Sequence, residues 1–189
     1  MPCWAARSWS QYTVQKGGTV EKEGTVATST PTRDDRTYQD AEGVTIHYYV
    51  WKARKQRAVI QIAHGLGEYA IRYGWLAGKL TAEGYTVYAD DHRGHGQTGL
   101  GQYGGDHTKL GKLGPGGMRA TVEGIRQLTG IIRSENAGLP LVLLGHSWGS
   151  LLAQMLVNKY SEKYDAVSLS GSALRAFGHP TAMCQKRAI

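Results

Sequence analysis

Cysteine is nearly absent from this 189-residue chain: only Cys3 and Cys184 occur, near opposite ends and without metal-ligand spacing. A disulfide framework and a zinc site are thereby excluded as organising devices. No run of about 18 apolar residues occurs, so no stretch reads as a membrane-spanning helix. The N-terminus, MPCWAARSWSQYTVQ, lacks the apolar middle of a signal peptide, and a cytoplasmic location is the default expectation. The formal charge of +7 raises the question of nucleic acid, but the only dense basic cluster is Lys52, Arg54, Lys55 and Arg57, with no aromatic ladder around it. It reads as a solvated loop, and no nucleic-acid partner is expected.

A hydrophobic fraction of 41% over this length suffices for one domain with a real core. Residues 1–32 mix Thr, Ser, Gly and charges without a period, and predict a disordered leader. Residues 34–51 predict an antiparallel hairpin turning at Asp40-Ala41-Glu42-Gly43, its second strand marked by alternating Val44, Ile46, Tyr48 and Val50. Ala58–Ala63 and Tyr85–Ala89 predict two further strands, with a helix carrying Trp75, Leu76 and Leu80 between them. Leu100 to Gly117 reads as a glycine-rich loop. It contains Gly99-x-Gly101-x-x-Gly104, a formal dinucleotide fingerprint, but no strand leads directly into it and no helix is expected to start on it, so no cofactor is expected. Met118, Val122, Ile125, Leu128 and Ile132 predict an amphipathic helix, and Asp165–Leu169 a last strand. Strands alternating with helices imply a parallel sheet covered on both faces, with ligands at the carboxyl ends of the strands.

The most informative stretch is LPLVLLGHSWGSLLAQMLVNKY, Leu139 to Tyr160. The apolar run Leu141–Leu144 is a buried strand; Leu151, Leu152, Met155 and Leu156 recur at helical spacing; Gly145-His146-Ser147-Trp148-Gly149 lies between them. That is a G-x-S-x-G elbow, in which a sharp strand-to-helix turn holds Ser147 at a helix N-terminus and crowding demands glycine at Gly145 and Gly149. Ser147 is the candidate nucleophile. An oxyanion needs two donors: the Trp148 N–H follows the nucleophile, and the second is assigned to Leu66 in His64-Gly65-Leu66-Gly67, whose glycines allow close backbone approach.

HGLGEYAIRY, DHRGHGQT and GHSWGS, in this order and spacing, resemble the monoacylglycerol lipase and lysophospholipase branch of the α/β-hydrolases, often grouped with the serine aminopeptidases. The resemblance covers roughly residues 36–174. It implies strands 1 to 6 of an eight-stranded α/β-hydrolase fold within 33–174, followed by an irregular tail over 175–189. It also implies a small lipid-like ester substrate, transient contact with a membrane surface, and no cofactor or metal. Ser147 takes the nucleophile position, Leu66 and Trp148 the oxyanion positions, and His64 and Arg93 loop-shaping ones, with Gly65, Gly67, Gly145 and Gly149 completing the turns. Tyr69 stands where the family commonly has histidine, and Trp148 and Ser150 replace the more usual Met and Gly.

His92, His95 and His146 all precede Ser147, whereas chain order in this fold is serine, acid, histidine. After Ser147 the acids are Glu162 and Asp165, expected at the wrong end of the sheet, and the only histidine is His179, in a tail without an acid partner. The triad acid and histidine are therefore expected to be missing, as in a C-terminally truncated product. Two readings stand: a serine hydrolase of carboxylic esters, and a non-catalytic fragment that at most binds an acyl ligand or a partner. Acyltransferases and peptidases share the elbow. Epoxide hydrolases are disfavoured because they place an aspartate at the position of Ser147.

Overall fold

A computed structural model describes residues 32–172. The leader expected over 1–32, apart from its last residue, and the tail expected over 175–189 lie outside the described residues, as does His179. Six strands form one sheet: β1 Arg33–Gln39, β2 Thr45–Trp51, β3 Ala58–Ala63, β4 Tyr85–Asp90, β5 Leu141–His146 and β6 Ala166–Ser170. Their order is β1-β2-β4-β3-β5-β6. The β1–β2 hairpin is antiparallel and β2 joins β4 antiparallel, while β4, β3, β5 and β6 run parallel. This is the first six-strand part of an α/β-hydrolase sheet.

The hairpin turn is set by Asp40, whose carboxylate accepts from the N–H groups of Glu42 and Val44, with Gly43 at φ 77° closing it. β3 is buried at every residue because both its faces are covered. Val59, Tyr88, Leu141 and Leu143 face helices α3, Gly117–Glu135, and α4, Trp148–Tyr160, through Ile125, Leu128, Ile132, Leu152 and Leu156. Ile60, Ile62, Val87 and Ala89 face the opposite way, against Ala77, Leu76 and Leu80 of α1, Gly74–Ala82. Removing a side chain from this core, as in Leu143→Ala, costs about 2–5 kcal/mol. The sheet is less covered toward its far edge, where every residue of β6 is exposed.

One expectation is corrected. The stretch read as glycine-rich loop from Leu100 overlaps a short helix, α2, Gly96–Gln102, and a 3-10 turn at His107–Lys109. Gly99 and Gly101 of the formal fingerprint thus lie inside a helix that begins three residues before it. With glycine at three of its seven residues, Gly96, Gly99 and Gly101, propensity does not favour this helix. Tertiary contacts hold it instead: the Asp91 carboxylate accepts from Gln97 N–H, and Gly99 packs so close that a Cβ would stand 2.5 Å from the Gly94 carbonyl carbon.

Candidate active site

At the carboxyl end of β5 the chain reverses sharply through Ser147, which has φ 51° and ψ −117° and is the only non-glycine residue with positive φ among those described. Such a conformation costs about 1–3 kcal/mol and persists only where the surroundings fix it. Several contacts do so. Ser147 N–H donates to the Ser170 carbonyl of β6 at 2.8 Å, and its own carbonyl accepts from Ser150 N–H at 3.0 Å and Ser150 Oγ at 2.6 Å. Serine at position 150, in place of glycine, thus adds a bond to the turn. A Cβ on Gly145 would stand 2.7 Å from the Gly149 carbonyl oxygen, and one on Gly149 would strike the carbonyls of Ala63 and His64. Ser147 itself is exposed at the N-terminus of α4, and its hydroxyl makes no hydrogen bond among the described residues.

The loop after β3 reaches the same place. A Cβ on Gly65 would lie 3.3 Å from Ser147 Cβ and 3.3 Å from the His146 ring. Gly67 has φ 71°, a conformation that glycine alone adopts readily. Neither Leu66 N–H nor Trp148 N–H is engaged by a carbonyl or side chain among the described residues. The sequence motif contained, without assigning it, the residue that fixes this loop: Glu68 Oε2 accepts from Gly65 N–H at 2.9 Å and from Tyr73 OH at 2.8 Å. Partial burial acts to raise the Glu68 pKa, but these two donated bonds and the nearby His146 and Arg72 outweigh it and hold it below the ordinary value.

Beneath both loops lies a layer of imidazoles. His64 stacks on His92 with centroids 3.9 Å apart, and His95 stacks on Trp148 at 5.3 Å. His64 Nε2 accepts from His92 N–H, so Nδ1 carries the proton and donates to the Gly65 carbonyl. Burial, reinforced by His92, pushes the His64 pKa well below its ordinary value, and burial lowers His95 too. His92 Nδ1 is paired with buried Asp90 at 2.9 Å. Asp91 ties the neighbourhood together, accepting from Ala70 N–H, Gln97 N–H and Tyr49 OH, and burial raises its pKa. Arg93 is buried with Nη1 3.6 Å from Asp40 Oδ2. His92–Asp90 and Asp91–Gln97 are local pairs, but the contacts of His64 with His92, His95 with Trp148, Asp91 with Tyr49 and Arg93 with Asp40 join separate segments and leave no local signal. Tryptophan at 148 thus serves as a lid on the histidine layer.

Asp165 sits at the amino end of β5, where Oδ2 accepts from Leu141 N–H and Arg133, far along the sheet from Ser147. Glu162 lies on an exposed 3-10 turn beyond α4. Neither is brought to the serine. Among the described residues, no group of three or more His, Cys, Asp or Glu side chains is arranged to hold a metal ion, and no helix is long and apolar enough to cross a membrane.

Residues 54–187 match the serine aminopeptidase S33 family. The chain belongs to that family. It is 37% identical over 146 residues to a monoacylglycerol lipase of Mycolicibacterium smegmatis, an alignment covering 77% of this chain and 49% of the lipase. It is 35% identical over 106 residues to the phospholipase YtpA of Bacillus subtilis, covering 56% of this chain and 36% of that protein. Its fold matches a thermostable carboxyl esterase from Bacillus coagulans with TM-score 0.68 and 28% identity, covering 75% of this chain and 44% of the esterase. The chain therefore spans about half the length, or less, of these relatives. Lipase and esterase chemistry is the family's indication, and the six-strand sheet is the part of the fold that this chain shares with the esterase.

Proposed function

We propose that this chain carries the nucleophile half of a serine hydrolase acting on carboxylic esters, of the monoacylglycerol or lysophospholipid kind, through an acyl-enzyme on Ser147. The observation that carries the reading is the strained φ of Ser147 at the N-terminus of α4, with the Gly65 backbone packed against it. On this reading the serine oxygen attacks the ester carbonyl while its proton passes to a base. The carbonyl oxygen, now an anion, is held by the N–H groups of Leu66 and Trp148, supported by the positive end of the helix. The tetrahedral species collapses with loss of the alcohol, and water releases the acid in a second passage through the same hole. The names of the mycobacterial lipase and the Bacillus phospholipase support a lipid ester as substrate.

Among the described residues no histidine or carboxylate hydrogen-bonds the Ser147 hydroxyl, so on this reading the base comes from elsewhere. Oxyanion stabilisation alone retains roughly 10³ to 10⁴-fold over water, several orders below a complete triad. A second reading, a non-catalytic binding module, is favoured by the exposed side chains of β6. The two are separated by assaying a short-chain nitrophenyl ester with the 189-residue chain, its Ser147→Ala variant, and the chain extended by the C-terminal part of a relative. We expect turnover from the extended form that Ser147→Ala abolishes, and almost none from the chain alone. A folded extended form whose activity ignores Ser147→Ala would overturn the assignment. Robust Ser147-dependent turnover by the unextended chain would place a base within these residues, with His95 and His179 as candidates.

A further inference from the structure

Four of the eight large hydrophobic residues that stand exposed among the described residues fall within ten positions: Leu66 at 66% exposure, Tyr69 at 44%, Ile71 at 36% and Trp75 at 76%. Ile71, Trp75 and Lys79 follow one another at spacings of four along the 3-10 turn Ala70–Tyr73 and α1, and so share one outward ribbon. The opposite side of the same helix is spent on the core, through Ala77, Leu76 and Leu80. Scattered exposed apolar residues need no explanation, but a contiguous cluster including a tryptophan does.

The charges around the ribbon say what it faces. Lys79 Nζ lies 5.8 Å from the centre of the Trp75 ring, and Arg72 is exposed on the adjoining turn. At the far end of α1, Gly84 abuts the exposed Lys55–Arg57 loop, where its Cβ would stand 2.8 Å from the Lys55 carbonyl oxygen. The basic cluster that the sequence left as a bare loop is therefore continuous with the aromatic ribbon. The carboxylates nearby are Glu83, exposed, and Glu68, turned inward to Gly65 N–H and Tyr73 OH. Cations thus dominate a strip that also carries an indole, an isoleucine and a leucine. That strip repels a second copy of itself and is complementary to an apolar layer with anionic headgroups, where tryptophan and long basic side chains settle at the interface.

We propose that the α1 ribbon, from Leu66 and Tyr69 through Ile71, Trp75 and Lys79 to the Arg54–Arg57 loop, docks the protein on an anionic lipid surface. The docking edge begins beside Ser147, because the loop that carries Leu66 is packed on the serine through Gly65. A lipid ester leaving the surface has a short path to the hydroxyl, and residence on the surface raises its local concentration. Docking does not depend on the chemistry proposed for Ser147.

The test is co-sedimentation of the full chain with phosphatidylcholine vesicles containing about 30% phosphatidylglycerol, against pure phosphatidylcholine, at low and high salt. We expect binding to the anionic vesicles that weakens with salt, with a blue shift of tryptophan emission. The double variant Ile71→Ser with Trp75→Ser should bind at least tenfold more weakly and lose the shift, while unfolding at the same temperature as the parent. Arg72→Glu with Lys79→Glu should lose the preference for anionic vesicles. Leu110→Ser, which removes an exposed leucine on another loop, and Ser147→Ala should bind like the parent; the latter keeps this test independent of the proposed hydrolysis. The proposal is overturned if the serine double variant binds unchanged, if neutral vesicles bind equally well, or if the ribbon variants abolish self-association or capture of another protein while leaving vesicle binding intact.

Discussion

Gly65 and Ser147 are held so close that a Cβ on the glycine would stand 3.3 Å from the Cβ of the serine. The two loops of the candidate oxyanion site are therefore in contact through backbone, and their spacing is set by the absence of one methyl group. Gly65→Ala should displace the Leu66 N–H by a few tenths of an ångström while the flexible Glu68 end absorbs the remaining overlap. Overpacking of this size costs about 1–3 kcal/mol. In the extended, active form we expect kcat for a nitrophenyl ester to fall at least tenfold with KM little changed, because donor misplacement acts on the transition state. Unchanged kcat in a folded Gly65→Ala enzyme would remove Leu66 from the oxyanion site.

Ser147 stores strain that glycine would not feel. Ser147→Gly should be more stable than Ser147→Ala by about 1 kcal/mol, since alanine keeps the unfavourable positive φ and glycine relieves it, less the entropy glycine gains when unfolded. Urea denaturation of the two variants side by side reads this directly. Equal midpoints would mean that the turn is not strained in solution.

The sharp strand-to-helix turn at Ser147 was legible in sequence because its pattern is local: five residues, a strand before them and a helix after. β3 was equally plain, predicted and found at Ala58–Ala63, because a strand buried on both faces is apolar at nearly every position. α2 was not legible, since Gly96, Gly99 and Gly101 argue against a helix and tertiary contacts hold it, such as the bond from His47 N–H of β2 to Thr98 Oγ1. The imidazole layer was invisible for the same reason. The sequence shows His64, His92, His95 and Trp148 on three separate loops, and only the sheet order brings them into one stack.

That layer makes stability depend on pH. His64 and His95 are neutral when folded and have lowered pKa values, so below about pH 6.5 the unfolded chain takes up protons that the folded chain refuses. Stability is therefore complete above that pH and falls as pH drops toward the folded values, by up to about 1.4 kcal/mol per pH unit for each histidine. Thermal unfolding between pH 7 and 5 should show a falling midpoint, and His95→Phe, which keeps a ring against Trp148, should make the fall shallower. A flat profile in the parent chain would mean that the histidines are not held neutral.

A buried polar cluster ties α3 to β3 and to Tyr164, the residue that follows the 3-10 turn Ser161–Lys163. Thr129 Oγ1 lies 2.8 Å from Gln61 Oε1 and 2.7 Å from Tyr164 OH, all within the core. Thr129→Val removes the hydroxyl at constant shape and strands both partners, at a cost of about 1–3 kcal/mol. Thr129→Ser should recover most of that loss by restoring the bonds. If valine were as stable as threonine, the cluster would hold no net bonding energy.

β6 pairs with β5 on one side while Val167 and Leu169 stand 40% and 42% exposed. An apolar strand whose second edge pairs with no strand among the described residues is a template for another chain. In the 189-residue chain, Val167→Lys and Leu169→Lys should leave unfolding within about 0.5 kcal/mol of the parent, as expected of exposed positions, and should reduce concentration-dependent association measured by light scattering. In the form extended by the C-terminal part of a relative, the same substitutions should cost about 2 kcal/mol or more, because added strands and helices would bury both side chains and leave a charge without a partner. The sign of the difference between the two contexts is the measurement. Equal tolerance in both would show that the added segment does not pack on β6, and the Ser147 assay on the extended form would then report on a fold other than the one its relatives share.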